Sequence, residues 1–287
     1  MQNSTAQSAD PLIHWILRVA AGLCFIGHGA FGFIGKESWI PFFAVVGISK
    51  GAAESLMPWV GFVDILSGFW ILLMGPNLAI LSYMFVWALW TALLRPLSGL
   101  PAWEFFERAG NFCVPMALLI LKAPADSWNR PFARMLTQEF SAKQKEDLYL
   151  CLRLATAALM IGHGGFGAFM QKPQLLTHFQ ALNLFPETWF SASSLGYFGF
   201  IEMLLGLGLL AWPAPGLCLF IFVWKISTEL LYPISGDYIW EFIERSATYA
   251  SPLVLFLLGR ENNLIYRSIY RRIYSRWRPL IPKAQDS

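Results

Sequence analysis

Apolar residues along this chain fall in long windows rather than in alternation. Eight stretches, at 13–34, 57–75, 77–95, 103–122, 148–170, 192–212, 215–232 and 240–258, are predominantly apolar. Each is close to the roughly 20 residues that a helix needs to cross a hydrocarbon core of about 30 Å. The pattern predicts eight membrane helices. Gly75-Pro76-Asn77 and Pro213-Ala214-Pro215 are such short joints that each predicts a tight antiparallel hairpin. A loop with Trp39, Phe42 and Phe43 follows the first window, and the matching loop carries His178, Phe179, Pro186 and Trp189; aromatic content of this kind predicts an interfacial position. One hydrophilic stretch, 123–147, separates the fourth window from the fifth, and a basic, aromatic tail follows the eighth.

The two sets of four windows are copies. Ile26-Gly27-His28-Gly29-Ala30-Phe31-Gly32 returns as Ile161-Gly162-His163-Gly164-Gly165-Phe166-Gly167, each preceded by an arginine (Arg18, Arg153) and followed by a lysine (Lys36, Lys172). Gly61-Phe62-Val63-Asp64 returns as Gly199-Phe200-Ile201-Glu202, and Trp103-Glu104-Phe105-Phe106-Glu107-Arg108 as Trp240-Glu241-Phe242-Ile243-Glu244-Arg245. An offset held near 135 to 138 residues is the signature of an internal repeat. The expected fold is an all-α membrane protein of two parallel four-helix repeats, related by a pseudo-two-fold axis along the membrane normal. Its parts are a first repeat over 1–122, a cytoplasmic linker over 123–147, a second repeat over 148–258 and a basic cytoplasmic tail over 259–287.

Composition fixes the solvent. Hydrophobic residues make up 56% of the chain and charged residues 14%, with a mean hydropathy of +0.50, which excludes a soluble domain of 287 residues. Residues 1–12 lack the basic start and cleavage site of a signal peptide, so the first helix is expected to direct insertion. If the termini and linker share one side, that side holds twelve lysines and arginines against Lys36, Lys50, Arg95 and Lys172 opposite; the positive-inside rule then makes both termini cytoplasmic. No phosphate-cradling glycine loop, nucleophile elbow or soluble catalytic domain is present, and nothing points to nucleic acid. Cys24, Cys113, Cys151 and Cys218 stand singly in separate windows, which argues against thiol redox chemistry.

Chemistry is therefore expected inside the membrane layer. By rise along each helix, His28, Asp64 and Glu107 converge on the outer half of the bilayer, as do His163, Glu202, Glu241, Glu244 and Arg245 of the second copy. Ionisable side chains at that depth cost about 2.5 to 3.5 kcal/mol each, face the bundle interior and mark function. Arg108 is four residues from Glu104 and is placed to neutralise it. Arg18 and Arg153, near the cytoplasmic side, are expected to snorkel to lipid phosphates. His14 and His178, without counterparts, are read as interfacial. Lys225 and Glu229 replace Ala88 and Ala92 of the first copy, which predicts an ion pair and two sites that are not equivalent.

For His28 and His163 the small flanking glycines leave several roles open: close packing of another helix, a flat quinone head group, a haem ligated by both histidines, or a metal shared with carboxylates. The Glu-x-x-His spacing of di-metal sites is absent, so no metal site is assigned.

The pattern Arg18-(x)8-Gly27-His28-Gly29 with Lys36, repeated as Arg153-(x)8-Gly162-His163-Gly164 with Lys172, resembles the DoxX-like family of small bacterial membrane proteins, as two fused copies. The resemblance implies a four-helix fold like that of vitamin K epoxide reductase, an inner-membrane location and an association with quinone-linked sulfur oxidation and membrane redox complexes. The chain departs from the family by its duplication, its Trp-Glu-Phe-x-Glu-Arg helices and its lack of a paired thiol. The expected function is an integral subunit of an electron-transfer assembly, with other redox subunits as partners and a quinone or haem pocket in the outer leaflet. His28, His163, Arg108 and Arg245 are assigned to the cofactor, and Asp64, Glu107, Glu202 and Glu244 to proton transfer. The alternatives are a non-catalytic scaffold, whose polar layer only sets helix register, and a proton-coupled carrier. Whether the chain is itself an enzyme is left open.

Overall fold

The computed structural model describes residues 9–122, 129–135, 139–182 and 191–261. The chain starts with α1 (Asp10–Ile34), a short 3-10 turn and the small helix α2 (Ile40–Val45), then α3 (Lys50–Leu73), α4 (Leu78–Leu97), α5 (Trp103–Glu107) and α6 (Ala109–Ile120). It continues with α7 (Ala142–Gly165), which runs into a π turn, then α8 (Pro173–Gln180), α9 (Ala192–Ala211), α10 (Pro215–Glu229), α11 (Leu231–Ile234), α12 (Ile239–Glu244) and α13 (Ser246–Glu261). No strand occurs among the described residues beyond an isolated bridge between Asn77 and Arg134. Residues 1–8, the loop with Pro186 and Trp189, and the basic tail beyond Glu261 lie outside the described residues.

Six of the described helical segments are long and apolar enough to cross a membrane, not eight. The fourth and eighth windows are interrupted. At Arg108 and Arg245 the backbone leaves the helix, with φ −87, ψ 5 and φ −86, ψ 12, so each window becomes a short helix followed by a longer one. The 12 residues of α6 span about 18 Å, short of the bilayer core. The hydrophobic count could not see this break, because both sides of it are apolar. Large side chains such as Trp59, Phe62, Leu66, Leu73, Leu204 and Val223 are exposed. An apolar exterior of this kind on long apolar helices makes the chain a multi-pass membrane protein in contact with lipid.

Glycine decides how the helices approach. A Cβ on Gly29 would stand 2.5 Å from the Gly61 carbonyl oxygen, and one on Gly164 would stand 2.5 Å from that of Gly199. The α1–α3 and α7–α9 pairs are thus in backbone contact, the small-residue packing used where lipid offers no hydrophobic drive. Gly27 and Gly162 do the same between the two halves of the chain. Their Cβ positions lie 2.4 Å from the backbone nitrogens of Glu244 and Glu107, respectively. The glycines beside the histidines therefore receive neighbouring backbone, rather than a flat cofactor.

Arg18 and Arg153 have a different task from the lipid anchoring expected of them. Arg18 donates from Nε and Nη2 to the carbonyls of Ile71 and Leu72, at 2.6 and 2.7 Å. Arg153 donates to Leu209, at 3.1 Å, and to Leu210. Each guanidinium thus caps the last carbonyls of the next long helix, groups that hydrocarbon cannot satisfy. The side chains of His14 and His178 are buried within the protein, and His178 Nε2 lies 2.9 Å from Asp237. The stretch between the halves is partly structured: α7 begins at Ala142 behind a Ser141–Gln144 capping box, and Lys145 reaches Asp10 at 2.7 Å.

Candidate functional site

Both motif histidines pair with the carboxylate on the adjacent long helix. His28 Nδ1 is 2.8 Å from Asp64 Oδ2, and His163 Nδ1 is 2.6 Å from Glu202 Oε2. The helix geometry explains the pairing, because backbone contact between α1 and α3 leaves room for only two side chains above the glycine seam. Such a carboxylate fixes the ring's orientation and leaves Nε2 as the nitrogen for further work. The carboxylates' second oxygens differ. Glu202 Oε1 accepts from the Trp224 indole N–H at 2.8 Å, whereas Asp64 Oδ1 is met only by the Tyr83 hydroxyl, at 3.5 Å. Trp87 is the sequence counterpart of Trp224, and its buried indole N–H has no acceptor among the described residues. Asp64 is one methylene shorter than Glu202.

The Trp87 side chain lines a cavity. A space of about 340 Å³ lies between α2, α3 and α4, lined by His28, Arg95 and the aromatic rings of Trp39, Phe42, Trp59, Trp87 and Trp90. Trp39 is buried and stacks on His28 with ring centres 4.4 Å apart and planes 25° apart. Trp59 and Trp90 are exposed, on the lipid side. The walls are mostly apolar and aromatic, and His28, Thr91 and Arg95 are the polar residues on them. A mostly apolar pocket with a few convergent polar groups is the form that small-molecule sites take.

A second, polar cavity of about 590 Å³ lies between the two halves. Its wall contains Lys36, Arg95, Arg108, Lys172 and Arg245, with Glu104, Glu107, Glu241 and His163. Ion pairs cross it reciprocally: Lys36 meets Glu241 at 2.7 Å, and Lys172 meets Glu104 at 3.5 Å. Arg95 Nε is 3.7 Å from Glu104, Arg108 pairs with its neighbour Glu107 at 2.8 Å, and Arg245 joins Glu241, Glu229 and Glu107. Lys225 and Glu229 form the expected pair, at 2.8 Å, wholly buried behind the wall. Buried charge of this density survives only when every member is answered.

The structure therefore brings together His28 with Asp64, His163 with Glu202, and Glu107 with Arg108 and Arg245. It does not unite all eight site residues in one place. His28 faces the aromatic pocket and His163 the polar cavity, so the two histidines front different spaces. Glu244 is buried beside Gly27 and makes no salt bridge among the described residues. Arg108 answers Glu107 rather than Glu104, whereas its counterpart Arg245 keeps the i, i+4 pair with Glu241.

Sequence reasoning missed Arg95, Trp39 and Trp87. A signal existed for Arg95: its repeat counterpart is Tyr232, so the first copy alone has a cation before the shared proline. The cysteines are not all solitary, since the Cys151 thiol donates to the Cys113 carbonyl at 3.7 Å across the α6–α7 contact. No group of three or more metal-ligating side chains stands together among the described residues. Comparison with protein families, with curated proteins and with solved structures found no match.

Proposed function

We propose that this chain is an integral membrane subunit of an electron-transfer assembly, and that its first half holds a quinone-type ring in the aromatic pocket. The observation that carries the reading is a ring-lined cavity with His28, Arg95 and Trp87 on its wall, where the buried Trp87 indole N–H has no acceptor among the described residues. A buried donor without an acceptor costs about 1 to 3 kcal/mol, and a ring carbonyl is the acceptor chemistry that would relieve it. Tryptophan faces suit a planar ring, and the exposed Trp59 and Trp90 give a lipid-soluble molecule a route from the bilayer.

In this reading His28 binds a ring oxygen through Nε2 while Asp64 holds the imidazole in place. Arg95, on the pocket wall, stabilises negative charge on the ligand. The quinone supplies the redox chemistry when bound; the chain orients it, excludes water with aromatic side chains and keeps a proton at His28. Haem ligated by both histidines is disfavoured, because they front different cavities.

The wider architecture belongs to the same proposal. Eight membrane segments, with α5–α6 and α12–α13 as broken fourth helices, form two repeats about a pseudo-two-fold axis, with both termini cytoplasmic. Reciprocal contacts support the axis: Gly27 on Glu244 with Gly162 on Glu107, and Lys36 on Glu241 with Lys172 on Glu104. The resemblance to DoxX-like proteins now rests chiefly on the two histidines, since the arginines and glycines of the motif have packing and capping roles. A scaffold is the second reading, favoured by those same ion pairs, which tie one half to the other without need of a ligand.

The test is a titration of the purified protein in nanodiscs with a short-chain quinone, read by tryptophan fluorescence. Saturable quenching is expected, weakened about 3- to 10-fold in Trp87→Phe, in line with the loss of one hydrogen bond of roughly 0.5 to 1.5 kcal/mol. Quenching that rises linearly with quinone and is the same in both proteins would favour the scaffold.

A further inference from the structure

The polar cavity between the halves meets the aromatic pocket at Trp39, Phe42 and Arg95, and the rest of its wall is unusual for a packing seam. Lys36, Arg95, Arg108, Lys172 and Arg245 face Glu104, Glu107 and Glu241, a surplus of two positive charges at ordinary ionisation. Behind the wall Lys225 cancels Glu229, and the buried Glu244 and Glu202 answer from a distance, so the cationic surplus belongs to the lining itself. A seam that only locked helices together would close on itself; this one leaves about 590 Å³ open.

Arg108 shows where the surplus is concentrated. Among the described residues, the only carboxylate within salt-bridge distance of Arg108 is that of Glu107, its neighbour in the chain, at 2.8 Å. A guanidinium carries five donors in a planar fork matched to a carboxylate or oxyanion, and this one stands on the cavity wall with one such partner. Arg245, by contrast, is shared by Glu107, Glu229 and Glu241 and reaches Tyr232 with its face, 4.2 Å from the ring centre. The N-terminus of α6 begins at the next residue, Ala109, and its 12-residue helix adds its positive end to the same point.

We infer that this cavity is an anion site: Arg108, with Lys172 and Lys36 from opposite halves, binds one carboxylate or oxyanion group. The volume admits a small organic acid or an oxyanion with its water, and the cationic surplus of the lining suits a negatively charged group. The same group can arrive free in solution or on a lipid head group, and the two sources are separable by the membrane used.

The experiment is a thermal melt of the full-length protein in nanodiscs of zwitterionic lipid. Acetate, phosphate and sulfate are titrated against chloride at matched ionic strength, with a parallel set in anionic lipid and no added salt ligand. A saturable rise in Tm with at least one oxyanion or carboxylate is expected. Its apparent Kd should increase at least tenfold in Lys172→Gln and in Arg108→Gln, with part of the affinity kept in Arg108→Lys. Should Arg108→Gln fail to fold, Lys172→Gln and Arg108→Lys decide the matter. Stabilisation confined to anionic lipid, and lost in Lys172→Gln, would support the site and assign the anion to a head group. Identical responses to all salts, or an affinity unchanged in Lys172→Gln and Arg108→Lys together, would overturn the inference. Quinone quenching on the same samples reports the aromatic pocket, so each reading can fail alone.

Discussion

At the scale of single residues, the buried pair Lys225–Glu229 separates function from stability most clearly. Both are fully enclosed, and their counterparts in the first half are Ala88 and Ala92, which pack without charge. Removing Glu229 leaves Lys225 buried without its salt bridge, which costs about 3 to 5 kcal/mol, whereas removing Lys225 leaves Glu229 its bridge to Arg245. Glu229→Ala alone should therefore lower stability by roughly that amount, whereas Lys225→Ala with Glu229→Ala, which copies the first half, should cost less. A double-mutant cycle by denaturant or thermal melt measures the difference; equal losses in single and double variants would contradict it. Asp64 is the second informative residue. Asp64→Glu gives the first half the reach of Glu202, so the Trp87 N–H should acquire its acceptor and the pocket should lose its claim on a ring carbonyl. The expected result is a retained fold with weaker quinone binding, read as reduced quenching.

At the scale of elements, glycine and arginine explain most of the motif that repeats. A methyl group on Gly27 or Gly162 would press on backbone at 2.4 Å, so Gly27→Ala and Gly162→Ala should each cost about 1 to 3 kcal/mol or more from overpacking. Gly51→Ala and Gly216→Ala, with nothing within 4 Å, should be neutral or mildly stabilising, which makes them controls on the same assay. Arg18→Gln should loosen the end of α3, because charged hydrogen bonds to carbonyls are worth about 1.5 to 3 kcal/mol each; faster hydrogen exchange at Leu73 to Gly75 would report it.

This is also where sequence reading reached its limit. Hydrophobic windows located the helices, since hydrocarbon demands long apolar runs, and the repeat located His28 with Asp64 and His163 with Glu202. Windows could not locate the breaks at Arg108 and Arg245, which interrupt hydrogen bonding without interrupting hydrophobicity. They also gave Arg18 to lipid, because a periodicity cannot reveal that the carbonyls of Ile71 and Leu72 end beside it. Nor could they find the aromatic pocket, which Trp39, Trp59 and the pair Trp87 and Arg95 form from three separate stretches of chain.

At the scale of the whole molecule, the two halves keep the same histidine–carboxylate pair and put it to different surroundings. In the second half the indole of Trp224 closes the hydrogen bonding of Glu202, and Lys225 and Glu229 fill the space beyond. In the first half alanines take those places, the indole of Trp87 is left without an acceptor, and an aromatic pocket opens beside His28. Duplication followed by such divergence leaves one half with an aromatic pocket and the other with a charged frame, joined across a cation-rich cavity. The most direct test is photo-crosslinking with an azido-quinone in native membranes, followed by peptide mapping. The account predicts label on the segments around Trp39 to Phe43 and Trp87 to Arg95, competed by unmodified quinone and reduced in Asp64→Glu. Label spread evenly over the exposed faces of α3 and α9, indifferent to competitor, would contradict it.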